Sequence, residues 1–313
     1  MRSQDSNTQT NLLKQLLGEP TSAKSSGLVF SLAAVFPVLL SFLFLLLIAA
    51  ISPEEGYEQQ DWFLYASFLL PQISFLLVGI CYFLYTKSPL KQSASQQKCR
   101  WEYFVIAILL QVGLFALSQL NGWFLQWLRK FGYVDQGLAL PSLEGWGFIG
   151  VFLVIAVFAA LLEELIFRGL LLRGLKENFS TVAATLICGA LFALYHQNPA
   201  QTLYQFCCGT VFAYVAIQSG SVFPTMLAHF LNNAVILILT KCGVTQFTAT
   251  VNIIVYTLSA ISTIVAILWL VKIKKQTETK KGDKKNAKQF FLYAAVGIFV
   301  CTLTWLSVLF MGL

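Results

Sequence analysis

Apolar residues in this chain come in long runs, and polar residues collect between the runs instead of alternating with them. A helix that crosses a bilayer needs about 20 apolar residues, with a range of roughly 17–25. Runs of that order lie at 28–51, 62–85, 104–124, 147–172, 180–197, 201–219, 221–240, 248–271 and 290–312, which predicts nine helices. The weakest are 180–197 and 201–219, parted only by the turn-forming Gln197-Asn198-Pro199. No 20–50-residue repeat and no Gly-rich phosphate loop breaks the series. The expected fold is all-α, a polytopic transmembrane helix bundle of about 8–9 spans with any site buried between helices. Along the chain it divides into an amino-terminal segment, 1–27; the first three spans and their loops, 28–146; a helical core, 147–240; and the last two spans with a Lys-rich connector, 241–313.

Composition and charge sharpen the picture. Of 313 residues, 57% are hydrophobic and only 11% charged, far from the make-up of a soluble domain. The net charge of +7 does not imply a nucleic-acid partner, because the cations stand beside apolar runs, where they set topology and meet anionic headgroups. They cluster after the second run (Lys87, Lys91, Lys98, Arg100), the fourth (Arg173, Lys176) and the eighth (Lys272 to Lys288). Nine alternating spans put all three clusters on one side, so the amino terminus is expected in the cytoplasm and the carboxyl terminus outside. The first run lacks a cleavage signature and is expected to stay as an anchor. Asn178-Phe179-Ser180 fits a glycosylation acceptor but falls on the cytoplasmic side. Seven cysteines show no Cys-x-x-Cys spacing and read as small buried hydrophobes. Trp101, Trp123, Trp127 and Trp146 read as interfacial anchors, and segment 121–146 as containing a helix on the membrane surface that covers the site entrance.

Three apolar segments carry side chains that lipid-facing sequence avoids. The run Leu161-Leu162-Glu163-Glu164-Leu165-Ile166-Phe167-Arg168 holds two carboxylates and a guanidinium. At roughly 2.5–3.5 kcal/mol per exposed charge at a helix centre, the three would cost on the order of 8–10 kcal/mol unpaired. Glu164 and Arg168, at i and i+4, share a helix face and can pair. Glu163 points about 100° away, without a local partner, which suits a general base or acid. His196 closes the fifth run after Phe192, and His229 and Asn233 share one face of the seventh at i and i+4. Counted at about 1.5 Å per residue from the cytoplasmic ends, Glu163 lies roughly 20 Å deep, His196 24 Å, His229 12 Å and Asn233 18 Å, so the four can meet.

A carboxylate and an imidazole around one water make a general-base pair, and a second imidazole with an amide can hold a developing oxyanion. No Gly-x-Ser-x-Gly turn and no His-Glu-x-x-His motif is present. Glu163, His196 and His229 also form a zinc-ligand set in number and type, leaving a fourth position for water, and that alternative stays open. So do an interhelical clamp, a non-catalytic bacteriocin-immunity or scaffold protein, and a proton-coupled transporter, although no duplicated halves are visible.

Glu163-Glu164-x-x-x-Arg168, Phe192-x-x-x-His196 and His229-x-x-x-Asn233, in this order on separate apolar helices, resemble the CAAX-protease and bacteriocin-processing (Abi) family over about residues 145–240. The resemblance implies a glutamic-type intramembrane endopeptidase with no cofactor, in which Glu163 and His196 activate water, His229 and Asn233 hold the oxyanion, and Glu164 and Arg168 order the site. It implies a membrane-associated peptide or protein as substrate, prenylated in one branch of the family, and the bilayer as the other partner. A prokaryotic cell membrane is the expected location, and no pattern in the chain sets an oligomeric state.

Overall fold

A computed structural model describes residues 21–51, 55–86, 98–135, 137, 139–244, 246–273 and 283–313. The segment before residue 21 and several of the topology-setting lysines, including Lys87, Lys91, Lys274 and Lys280, lie outside the described residues. Nine helices are present among the described residues, one for each apolar run. They are α1 (Ala23–Ile51), α2 (Asp61–Thr86), α3 (Glu102–Arg129), α4 (Trp146–Asn178), α5 (Thr181–Tyr195), α6 (Thr202–Ser219), α7 (Phe223–Lys241), α8 (Ala249–Ile273) and α9 (Lys284–Gly312).

Seven of these are long and apolar enough to cross a membrane; α5 and α6 are the exceptions. With 15 residues, α5 spans about 22 Å, short of a hydrocarbon core of about 30 Å. Helix α6 has 18 residues but interleaves Gln205, Thr210 and Gln218 with its apolar positions. The nine-span count therefore reduces to seven spans plus an adjacent pair, and removing a pair leaves the predicted sides of all later loops unchanged. The chain is an integral membrane protein.

Helix α4 is central, with 44% of its most apolar stretch buried, against 17% for α1, α8 and α9. Helix α9 packs along α1, α8 along α3, and α5 against α6, while α7 lies between α3 and α4. Small residues bring the outer pair together: Ser31 Oγ donates to the Tyr293 carbonyl at 2.6 Å and accepts from the Gly297 N–H at 3.1 Å, where a Cβ on Gly297 would meet Ser31 Cα at 2.7 Å. Large apolar side chains such as Phe42, Leu47, Ile253, Leu268 and Phe299 stay exposed on the outer helices, as a lipid-facing belt requires.

One expectation is met in part. A helical stretch within 121–146 is present: residues 118–129 form an amphipathic helix set off from the rest of α3 by a turn at Ala116 and Leu117, and the described residues from 130 to 145 are turns and coil.

Candidate active site

Helix α4 changes its winding around the acidic pair. Phe152–Phe158 and Leu165–Leu171 are π-helical, and Ala159–Glu164 between them is α-helical. A π-turn inserts an extra residue, redirects the side chains that follow and is frequent at functional sites. Here the two wide turns bracket Glu163 and Glu164.

Glu164 and Arg168 are sealed, at 0% and 1% exposure, while Glu163 retains 9%. Arg168 Nη1 donates to Glu164 Oε1 at 2.7 Å, and Nη2 donates to the Gly209 carbonyl at 3.2 Å. The guanidinium also lies over the Phe192 ring, 4.3 Å from its centroid, a cation–π contact strengthened by desolvation. Gly209 allows this approach because α5 and α6 nearly touch: a Cβ on Gly209 would meet Gly189 Cα at 2.9 Å.

His229, at 6% exposure on α7, takes the other side of Glu164, with Nδ1 3.0 Å from Glu164 Oε1. Its Nε2 points the opposite way and comes to 3.9 Å from Glu163 Oε2. The arrangement is a chain: Arg168 fixes Glu164, Glu164 fixes His229, and His229 faces Glu163. An ionised carboxylate only accepts, so Nδ1 carries the hydrogen and Nε2 can donate only when the ring is an imidazolium. The Glu164–Arg168 ion pair offsets part of the cost of burying its two charges, and each partner keeps a further polar contact, Glu164 to His229 and Arg168 to the Gly209 carbonyl.

His196 is built differently. Ser180 caps the start of α5 by accepting from the Ala183 N–H at 3.2 Å, and α5 ends at His196 itself. Nδ1 lies 2.8 Å from the Phe192 carbonyl, an acceptor, so Nδ1 holds the hydrogen and Nε2 keeps a bare lone pair. The next residue, Gln197, takes φ +51°, a conformation that costs a side-chain-bearing residue energy and turns the chain sharply away from the helix.

Asn233 donates from Nδ2 to the Ile155 carbonyl in the first π-turn at 2.9 Å, and its Oδ1 accepts from Asn232 Nδ2 at 3.1 Å. Glu163, His196, His229 and Asn233 all line one cavity of about 1330 Å³; Glu164 and Arg168 lie behind its wall. Ten carboxamide side chains line the same cavity, among them Gln72, Gln197, Asn198, Gln201 and Gln246. Glu163 is its one carboxylate, and no Lys or Arg lines it among the described residues.

All six residues singled out in the sequence thus belong to one region, with one change of neighbour: the imidazole nearest Glu163 is that of His229, and His196 faces the shared cavity instead. Three participants were not singled out. Gln111, Tyr204 and Asn232 form a polar group joined to Asn233, and the available signal was the amide of Gln111 in the otherwise apolar stretch 104–117. Among the described residues no group of three or more His, Cys, Asp or Glu is arranged to hold a metal ion. The trio Glu163, His196 and His229 therefore does not fit zinc as placed, and no step below passes through a metal.

Such a site, carboxylate and histidines facing a cavity inside a membrane helix bundle, brings together the groups that general acid–base chemistry uses. Residues 145–235 match the family described as Rce1-like, type II CAAX prenyl endopeptidase. That match takes in the stretch from the start of α4 to most of α7 and supports a likeness to the CAAX-protease and bacteriocin-processing family, a family of membrane proteases. No curated protein and no solved structure matches the chain.

Proposed function

We propose that this protein is a metal-free intramembrane endopeptidase that hydrolyses a peptide bond in a membrane-associated peptide or protein. The observation that carries the reading is Glu163: a carboxylate on the wall of a cavity within the bundle, with Oε2 making no hydrogen bond, while its neighbour Glu164 is sealed away from that cavity and accepts from Arg168 and His229 through Oε1. A buried carboxylate kept short of hydrogen-bond partners is costly, which favours a use in chemistry over a use in packing.

In the proposed reaction Glu163 and the bare Nε2 of His196 share a water and take its proton as the water oxygen bonds to the scissile carbonyl carbon. The carbonyl electrons move to oxygen, and that oxyanion is met by Nε2–H of His229 as imidazolium and by the remaining Nδ2–H of Asn233. Collapse re-forms the carbonyl and breaks the C–N bond, and the captured proton passes to the leaving nitrogen. Glu164, itself fixed by Arg168, holds the His229 ring oriented. The carboxamides lining the cavity fit a peptide backbone, since each both donates and accepts as a peptide group does.

The test is cleavage of a quenched-fluorescent membrane peptide by the purified protein in liposomes. Glu163→Gln and His196→Ala are each expected to lose 10²-fold or more, on the order of a general acid–base contribution. Equal rates in all three proteins end the proposal. Metal independence is tested alongside it: activity is expected to survive a chelator in protein found metal-free by elemental analysis, and chelator-sensitive activity restored by zinc contradicts it.

A further inference from the structure

An asparagine can present either end of its amide to a reacting carbonyl, and only one end helps. The nitrogen end donates to an oxyanion; the oxygen end repels it. The two orientations differ by a half-turn about χ2, for which the side chain has little intrinsic preference. Something must therefore choose the orientation of Asn233.

The choice is made two residues deeper. Asn232 Oδ1 receives two donors, Gln111 Nε2 from α3 at 2.8 Å and the Tyr204 hydroxyl from α6 at 2.7 Å. An amide oxygen has two lone pairs, so these donors saturate it and fix the sense of the Asn232 amide. Its nitrogen must then face the other way, and it does, donating to Asn233 Oδ1 at 3.1 Å. With Oδ1 engaged and one N–H spent on the Ile155 carbonyl at 2.9 Å, Asn233 has a single N–H left for the cavity. Gln111 is 1% and Asn232 6% exposed, and the low dielectric around them strengthens the bond between them. Gln111 also approaches the Tyr204 hydroxyl at 3.4 Å while its own Oε1 stays unpartnered, so the chain runs in one direction, donors toward Asn233.

We propose that Gln111 and Tyr204 are positioning residues that, through Asn232, hold the Asn233 amide with its nitrogen toward the reacting carbonyl. The kinetic consequence rests on the peptidase reading above; the orientation itself does not. Tyr204→Phe is the sharpest probe because it removes one oxygen and leaves the volume nearly unchanged. It is expected to lower kcat by on the order of 10-fold or more, part of the roughly 10²–10³ that a lost oxyanion donor costs, with KM within twofold. In an Asn233→Ala background the same change is expected to cost nothing further, because there is no amide left to orient. Undiminished kcat in Tyr204→Phe, or an equal loss in both backgrounds, overturns the proposal.

A second measurement stands apart from activity. In protein labelled with ¹⁵N-asparagine, the Asn233 side-chain amide signals, identified by their loss in Asn233→Ala, are expected to shift and broaden in Tyr204→Phe and in Gln111→Leu. Unchanged Asn233 signals overturn the proposal whatever the peptidase assay shows. Perturbed signals in a wild type that cleaves nothing uphold the positioning and reject the peptidase reading alone.

Discussion

Glu163 and Glu164 are adjacent, chemically the same and given opposite tasks by what surrounds them. Glu164 accepts from Arg168 and His229 with one oxygen and is shut away; Glu163 meets only the far nitrogen of His229 and lines the cavity. Half of that division was legible from i,i+4 spacing, which pairs Glu164 with Arg168 and turns Glu163 aside. The other half was not, because the identity of the imidazole facing Glu163 depends on how α7 is rotated against α4, and helical periodicity within one segment carries no information about its neighbour's rotation. The pairing makes a prediction at this scale. Arg168→Met leaves Glu164 buried beside a single cation and is expected to destabilise by about 3–5 kcal/mol, read as a lower thermal midpoint in detergent. The double change Glu164→Leu with Arg168→Met is expected to recover most of that loss while abolishing cleavage, since His229 loses its anchor. A double variant no more stable than the single one contradicts this account.

Among the elements, α4 and the α5–α6 pair do the most to build the site. Two π-turns in α4 aim the acidic pair and present the Ile155 carbonyl to Asn233, and nothing in the local sequence announces them, since the run 147–172 reads as uninterrupted helix. The pair α5 and α6 was the weakest part of the hydrophobic pattern for a physical reason: α5 is short, α6 is interrupted by polar positions, and both serve the cavity more than the lipid. Their contact hinges on Gly189 and Gly209. A Cβ on Gly189 falls on Thr210 Oγ1, so Gly189→Leu must push the helices apart and draw the Gly209 carbonyl away from Arg168. A loss of about 1–3 kcal/mol in stability is expected, with Gly189→Ala milder, and a fully stable Gly189→Leu protein contradicts the close approach.

For the whole molecule, apolar runs located all nine helices of the described residues, because hydrocarbon imposes a length and a polarity that sequence displays directly. Which helices cross and which only pack inside was set by length and by neighbours, and the count fell from nine to seven without altering the sidedness that the lysines predict. That sidedness is checked with a reporter phosphatase active only outside the cytoplasm: fused after Leu313 it is expected to be active, and fused after Met1 inactive. The reverse pattern overturns the orientation. At this scale the molecule is a bundle that opens a cavity with, among the described residues, one carboxylate on its wall, and the proposed role of that carboxylate is to activate water. The direct measurement is hydrolysis of a membrane peptide in liposomes by wild type and by Glu163→Gln of matched thermal stability. Product incorporating ¹⁸O from labelled water is expected with wild type, and at least about 10²-fold less with the variant; equal product from both contradicts that role.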